Sequence, residues 1–344
     1  MTLLPRLYRI LPQGLPSPSS IFHRTLTTKK PPFPTIPTCP SPTCPCTPTP
    51  EGLDIDRTSP LNGVMPVYAQ QVLICTGRDD WASKIEEENE GRNLANDLKR
   101  VMGRGGRWCD PFHNVSPLNT SLPSSPPPAN HEESEESTSV YILPQFKYIP
   151  FVPSNSPSHL EALVRGFLLP DRLHPAHDGL SPDQRDLLTR KPEFQSQLRG
   201  VRDVKDVMIL ICGHGGRDER CGVYGPLLRD EFRKVLPGKG VEVLESPVRV
   251  EREAATTEQK QTARVGLVSH VGGHKFAGNV IVYVPPGART IEGGENPLEG
   301  CGIWYGRVEP RHVEGIVEET VMRGKVIEEL FRGGINRRGE ILRI

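Results

Sequence analysis

The chain has 344 residues and a mass of 38.2 kDa, with 42 Lys and Arg against 42 Asp and Glu. Zero formal net charge argues against a basic nucleic-acid binder, and no apolar run approaches the ~18 residues a membrane helix needs. Proline is the outlier: 36 residues, about twice the roughly 5% average, in a chain only 35% hydrophobic with a mean hydropathy of −0.42.

Fourteen prolines fall in residues 1–60. The first 50 residues hold Arg6, Arg9, Arg24, Lys29 and Lys30 but no acid before Glu51. Leu3, Leu4, Leu7, Tyr8, Ile10 and Leu11 surround the first two arginines, and serines and threonines follow. Such a leader resembles a cleavable mitochondrial transit peptide, so residues 1–50 read as a transit peptide followed by a proline-rich disordered linker. Without its five cations the remaining chain is net acidic by about five charges.

Residues 51–200 read as an N-terminal α/β domain. VLICT (72–76) is a short buried strand, followed by a Gly77-Arg-Asp-Asp-Trp81 turn. A helical stretch from Ser83 to Val101 sets Ile85, Leu94, Leu98 and Val101 toward a core. Five further prolines mark residues 114–139 as a disordered insert. VYILPQFKYIPFV (140–152) predicts strands broken at Pro144 and Pro150. Residues 158–169 fit a helix with Ser158 and Glu161 as a capping box, and residues 181–199 fit polar helices opened by Ser181-Pro182.

Residues 201–344 form the second part. VKDVMILIC (204–212) is a strand ending on Cys212, a glycine-rich loop runs from Gly213 to Gly222, and residues 223–235 suit a helix. Strands follow at 241–245, 263–269, 279–284 and 302–308, and then a terminal helix over 310–332. The order β-α-β then β-β-α suits a thioredoxin-like layer arrangement. VLICTGRDDW (72–81) echoes ILICGHGGRDER (209–220), as an internal duplication of a strand–loop–helix unit would. The expected fold is α/β in two parts, the first half a β-α unit related to the second.

The chemistry concentrates in CGHGGRDERCG and HVGGHKFAGN, which give the pattern Cys212-x8-Cys221-x48-His270-x3-His274. Thiolates and imidazoles suit zinc, copper and iron–sulfur centres. Gly213, Gly215, Gly216 and Gly222 let the first loop curl around a bound object, and Gly272 and Gly273 do the same between the histidines. The histidine spacing fits zinc, but the gap of eight between cysteines is long for a zinc knuckle. A [2Fe–2S] rhomb with two Cys and two His has a precedent in Rieske centres. Two ferric ions and two sulfides leave a charge of +2, which two thiolates cancel; four thiolates would leave −2. Imidazole ligation therefore raises the potential, and the imidazole N–H groups couple it to pH.

These two segments resemble the sucrase/ferredoxin-like family of thioredoxin-like ferredoxins. GLDIDRTSPLNGVMPVYAQQVLICTGRDDWASKIEEE (52–88) and IWYGRVEP (303–310) resemble its mitochondrial fungal branch. The resemblance covers about residues 52–333, apart from the 114–139 insert. It implies a thioredoxin-like fold, a [2Fe–2S] cluster held by Cys212, Cys221, His270 and His274, and a mitochondrial redox role in the matrix or intermembrane space.

The other candidates read more plainly. His214 lies between the cysteines and reads as a loop-fixing residue, since the family pattern does not use it. Arg217 and Arg220 either raise the potential or pair with Asp218 and Glu219. Cys75, Cys109 and Cys301 read as core thiols, and Trp304 and Tyr305 as packing residues. Cys39, Cys44 and Cys46 sit in the proline-rich tail, as a thiol or metal site or simply as exposed residues. The expected function is electron transfer or redox sensing with redox proteins as partners. No nucleotide or flavin fingerprint makes the chain a self-contained enzyme, and a homodimer is compatible with thioredoxin-like ferredoxins. The rivals are a thiol–disulfide oxidoreductase, although no Cys-x-x-Cys is present, and a structural zinc module.

Overall fold

The two apolar runs that echo each other become the central strands of two halves. The computed structural model describes residues 31–127, 136–250 and 260–344; the first 30 residues of the expected transit peptide lie outside them. A strap carries β1 (Thr35–Ile36). The first half comprises β2 (Gln70–Cys75), α1 (Leu94–Met102), β3 (Val115–Thr120), β4 (Ser137–Leu143), β5 (Lys147–Pro153), α2 (Pro157–Leu163), α3 (Pro182–Leu188) and β6 (Arg202–Asp203). The second comprises β7 (Val207–Cys212), α4 (Glu219–Gly238), β8 (Glu242–Val243), β9 (Thr262–Val268), β10 (Val280–Val284), β11 (Cys301–Tyr305), α5 (Pro310–Gly315), β12 (Val326–Ile327), β13 (Phe331–Ile335) and β14 (Ile341–Leu342).

Twelve strands form one mixed sheet in the order β14-β13-β11-β10-β7-β9-β3-β2-β4-β5-β6, with β8 beside the start of β9. The order β3-β2-β4-β5 in the first half repeats as β9-β7-β10-β11 in the second. In both, the first pair is parallel and the next two pairings are antiparallel. Both closing helices, α2 and α5, run on into a π-helical turn. The second half thus has the strand order of a thioredoxin-like unit, and the first half is its relative.

The halves meet where β3 runs antiparallel to β9, with Thr120 opposite Val268. The junction is reciprocal. Ser121 N–H donates to Leu267 O (3.0 Å) and Ser269 N–H to Asn119 O (2.9 Å). Ser269 Oγ accepts from Asn119 N–H (3.0 Å), and Ser121 Oγ accepts from Leu267 N–H (2.9 Å). Cys75 pairs with Thr120 and Cys212 with Val268, so the two cysteines are equivalent about this local two-fold.

Every residue of β2 and β7 is buried. Alternation sends Ile209 and Ile211 into a core with Leu228 and Phe232 of α4 and Val313 beyond. It sends Met208, Leu210 and Cys212 to the other face, where they share a core with Leu73, Cys75, Tyr68, Tyr283 and Trp304. Each such side chain contributes about 1.5–3 kcal/mol on burial.

Four local expectations are corrected. Residues 31–50 are not a disordered linker. They cross the second half as an extended strap: β1 pairs in parallel with β12, Phe33 is buried edge-on against Phe331, and Thr43 and Thr47 hydrogen-bond to Glu314 and Glu231. Proline disfavours helices and inner strands but suits an extended segment. Residues 115–120 of the supposed insert form β3, near the centre of the sheet. Pro117 is tolerated because β9 pairs with β3 only at Thr120, so its missing N–H faces an unpaired edge. The helix from 310 ends at Met322, and Gly324, at φ +65°, turns the chain into β12 and β13. Finally, Ser156, not Ser158, precedes α2, with Pro157 as its first residue.

Candidate metal centre

Cys212 closes β7, and Cys221 lies in the first turn of α4, which begins earlier than its sequence pattern predicts. Asp218 caps the helix, accepting from Arg220 N–H at 3.1 Å. The intervening loop folds back onto the helix. A Cβ on Gly222 would come within 2.7 Å of Gly215 Cα, and one on Gly225 would run into Gly213 Cα. Glycine at these crossings lets backbone lie on backbone, which sets the two buried thiols in one core.

The two histidines follow β9. Gly272 and Gly273 are left-handed, at φ +84° and +73°, and turn the chain so that the rings of His270 and His274 lie 5.4 Å apart. Asn279 Nδ2 donates to Gly273 O (3.0 Å) and fixes the turn. The His270 Nδ1 is buried and has no hydrogen-bond partner. His274 is 47% exposed and stands 4.0 Å from Asp218.

The four expected ligands thus lie as two pairs, the cysteines on the loop between β7 and α4 and the histidines on the turn after β9. Among the described residues, no three His, Cys, Asp or Glu side chains converge on a single ion-sized point. The Cys212 thiol is held well below its ordinary value, chiefly by the hydrogen bond from Cys221, then by His270 and the backbone at Val271 and His214. The Cys221 thiol is pushed upward by the same interaction with Cys212, by burial and by the neighbouring negative charge.

His214 is a brace. Its Nδ1 accepts from His270 N–H (3.0 Å), so its Nε2 carries the proton donated to Ala82 O (2.9 Å). With both nitrogens engaged, it has no lone pair for a metal. It links the cysteine loop, the histidine loop and the first-half turn. That turn docks directly: Asp80 accepts from Gly216 N–H (3.0 Å), and Trp81 lies edge-on to His214. Sequence reasoning missed Asp80 and Trp81 as supports of the site, although the Gly-Arg-Asp echo pointed at them. It also missed Arg332 of β13, which donates to Gly272 O at 3.3 Å.

Arg220 pairs with Asp218 (2.8 Å), Arg217 rests against Ser83, and Lys275 pairs with Asp56 (2.9 Å). Burial pushes the thiol of Cys301 up to about 11 and that of Cys75 upward, as inert core thiols require. On the strap, Cys39 is pushed up to about 12 by burial, while Cys44 and Cys46 contact Glu314 and Cys44 O. A groove of about 430 Å3 between α1 and the histidine loop reaches His270 and Arg217.

Residues 61–333 match the sucrase/ferredoxin-like family. The chain belongs to that family. Among sucrase/ferredoxin-like proteins it is 30% identical to Altered inheritance of mitochondria protein 32 of Meyerozyma guilliermondii, over 84% of this chain and 88% of the relative. The protein of that name from Debaryomyces hansenii is 29% identical over 83% and 89%. Actin patches distal protein 1 of Saccharomyces cerevisiae is 28% identical over 78% of this chain and 74% of its own. The sequence resemblance to the fungal branch thus extends over nearly the whole length. No solved structure matches the chain.

Proposed function

We propose that this chain is a [2Fe–2S] protein, its cluster held by Cys212, Cys221, His270 and His274, that transfers or senses electrons at mitochondria. The observation that carries this reading is the buried, unpartnered Nδ1 of His270, two residues past Val268, the strand partner of Cys212. A buried polar atom without a partner costs about 1–3 kcal/mol, and ligation would remove that cost. Donors arranged as two pairs suit a two-iron rhomb better than one tetrahedral ion. The bound group would supply a one-electron couple. The cysteines supply its charge balance and the imidazoles its neutral donors. Half-exposed His274 offers the short path to a partner and to solvent protons.

The relatives' names and the acid-free leader support mitochondrial targeting. Residues 31–50 belong to the folded strap, which supports processing before Pro31. N-terminal sequencing of the mature protein tests this, and a terminus beyond Ile36 contradicts it.

A dithiol redox pair is the second reading, favoured by Cys212 and Cys221 as two buried free thiols sharing one core. Anaerobic purification of the full chain separates the readings. A brown protein with a paramagnetic signal on reduction supports the cluster. A colourless protein with stoichiometric zinc contradicts it, and so does a metal-free one trapped in mixed disulfides through Cys212.

A further inference from the structure

Arg332 is the largest charged side chain sealed inside the protein, only 1% exposed. Its guanidinium donates to Asn279 Oδ1 (2.6 Å), Val64 O (2.9 Å) and Gly272 O (3.3 Å). It sits 5.6 Å from the ring centroids of both Trp304 and Phe276. It also lies so close on Gly273 that a Cβ there would collide with it. All three acceptors are neutral, and Nε has none. Among the described residues no carboxylate forms an ion pair with it. A buried cation without a counter-charge is costly. Burial accordingly pulls this guanidinium down to about 10, and the opposing influence comes from the sulfurs of Cys212 and Cys221.

We propose that Arg332 is the buried counter-cation of the Cys212–Cys221–His270–His274 centre and raises its reduction potential, an inference that rests on the cluster reading above. With two thiolates and two neutral imidazoles the oxidised centre is neutral and the reduced centre carries −1. A fixed positive charge behind the histidine turn therefore favours the reduced form. Sealed from solvent, it acts through a weakly screening medium. Arg217 and Arg220 cannot serve equally. The first leans outward on Ser83, and the second is neutralised by Asp218.

The test is the midpoint potential of the purified full chain with its cluster, in three variants. Arg332→Gln removes the charge. Asn279→Asp keeps the arginine and sets a carboxylate against it, at the loss of the donation to Gly273 O. Arg332→Lys keeps a cation. Gln and Asp should each shift the one-electron equilibrium at least tenfold toward the oxidised form, a potential lower by about 59 mV or more. Lys should stay within about threefold of the parent, which is about 30 mV on the same scale. Should Arg332→Gln fail to take up a cluster, Asn279→Asp and Arg332→Lys decide. A drop confined to Asn279→Asp supports the inference, and equal, unshifted potentials in the two overturn it. Cluster-loaded Arg332→Gln at the parental potential also overturns it, leaving Arg332 a packing residue. Absence of iron and sulfide from the parent chain would instead sink the cluster reading, and this inference with it.

Discussion

The two halves of the sheet share an order of strands, yet only the second carries the paired cysteines and histidines proposed as ligands. Cys75 ends β2 as Cys212 ends β7, and both face the same core. Nine residues beyond Cys212 comes Cys221; nine beyond Cys75 comes Lys84. Two residues past Val268 comes His270; two past its partner Thr120 comes Leu122, buried. The duplicated fold therefore supplies a location, a strand end beside a helix start, and the donor residues alone make it a site. The first half braces the second instead. Its Asp80 and Trp81 hold the cysteine loop of the second, and its Ser121 locks the seam from which the histidine loop departs.

The sharpest way to break this comparison is to exchange the equivalent cysteines. Cys212→Ser should lose most of the iron and sulfide, and Cys221→Ser likewise, whereas Cys75→Ser should retain both in full. Metal analysis of the three proteins decides, and loss from Cys75→Ser would contradict the division of roles. Next in size, His270→Cys and His274→Cys should each keep a cluster at lower potential, the equilibrium shifted at least about tenfold. The sign of the pH dependence follows from charge. Reduction adds negative charge to the proposed centre and so favours proton uptake, and the parental potential should fall as pH rises, by up to about 59 mV per unit for each proton taken up. Each His→Cys variant should lose part of that slope, as protein-film voltammetry would show.

The seam gives a smaller, symmetric effect. Ser121→Ala and Ser269→Ala each leave one buried N–H without its acceptor, and each should cost about 1–2 kcal/mol in urea unfolding. Clearly unequal costs would argue against the local two-fold. The smallest effect belongs to the strap. Lys239 and Thr43 hold the Glu314 carboxyl down at about 2. A depressed carboxyl stabilises above its ordinary range, and that contribution fades as pH falls from there through about 2. Acid, or Glu314→Gln at neutral pH, should therefore loosen residues 39–47. Hydrogen exchange at Thr43 should rise several-fold while the core amides stay unchanged.

What the sequence made legible follows from the physics of each segment. VLIC and ILIC were readable as strands because they are buried on both faces and so continuously apolar. The four proposed ligands stood out because a loop around a bound object would need its donors and glycines at fixed intervals. The strap was not, because a proline count registers what a segment cannot form and is blind to extended docking. Strand β3 was hidden by Pro117 and by polar residues whose partners lie across the seam, 147 and 150 positions away. Arg332 was hidden twice over. It fell in a stretch patterned like a helix, and a buried cation is invisible until its neighbours are known.

Iron and acid-labile sulfide per chain, measured on anaerobically purified full-length protein, test the central claim most directly. One centre in the second half and none in the first predicts two irons and two sulfides per chain. Twice that content would contradict the difference between the halves, and stoichiometric zinc or no metal would contradict the centre itself.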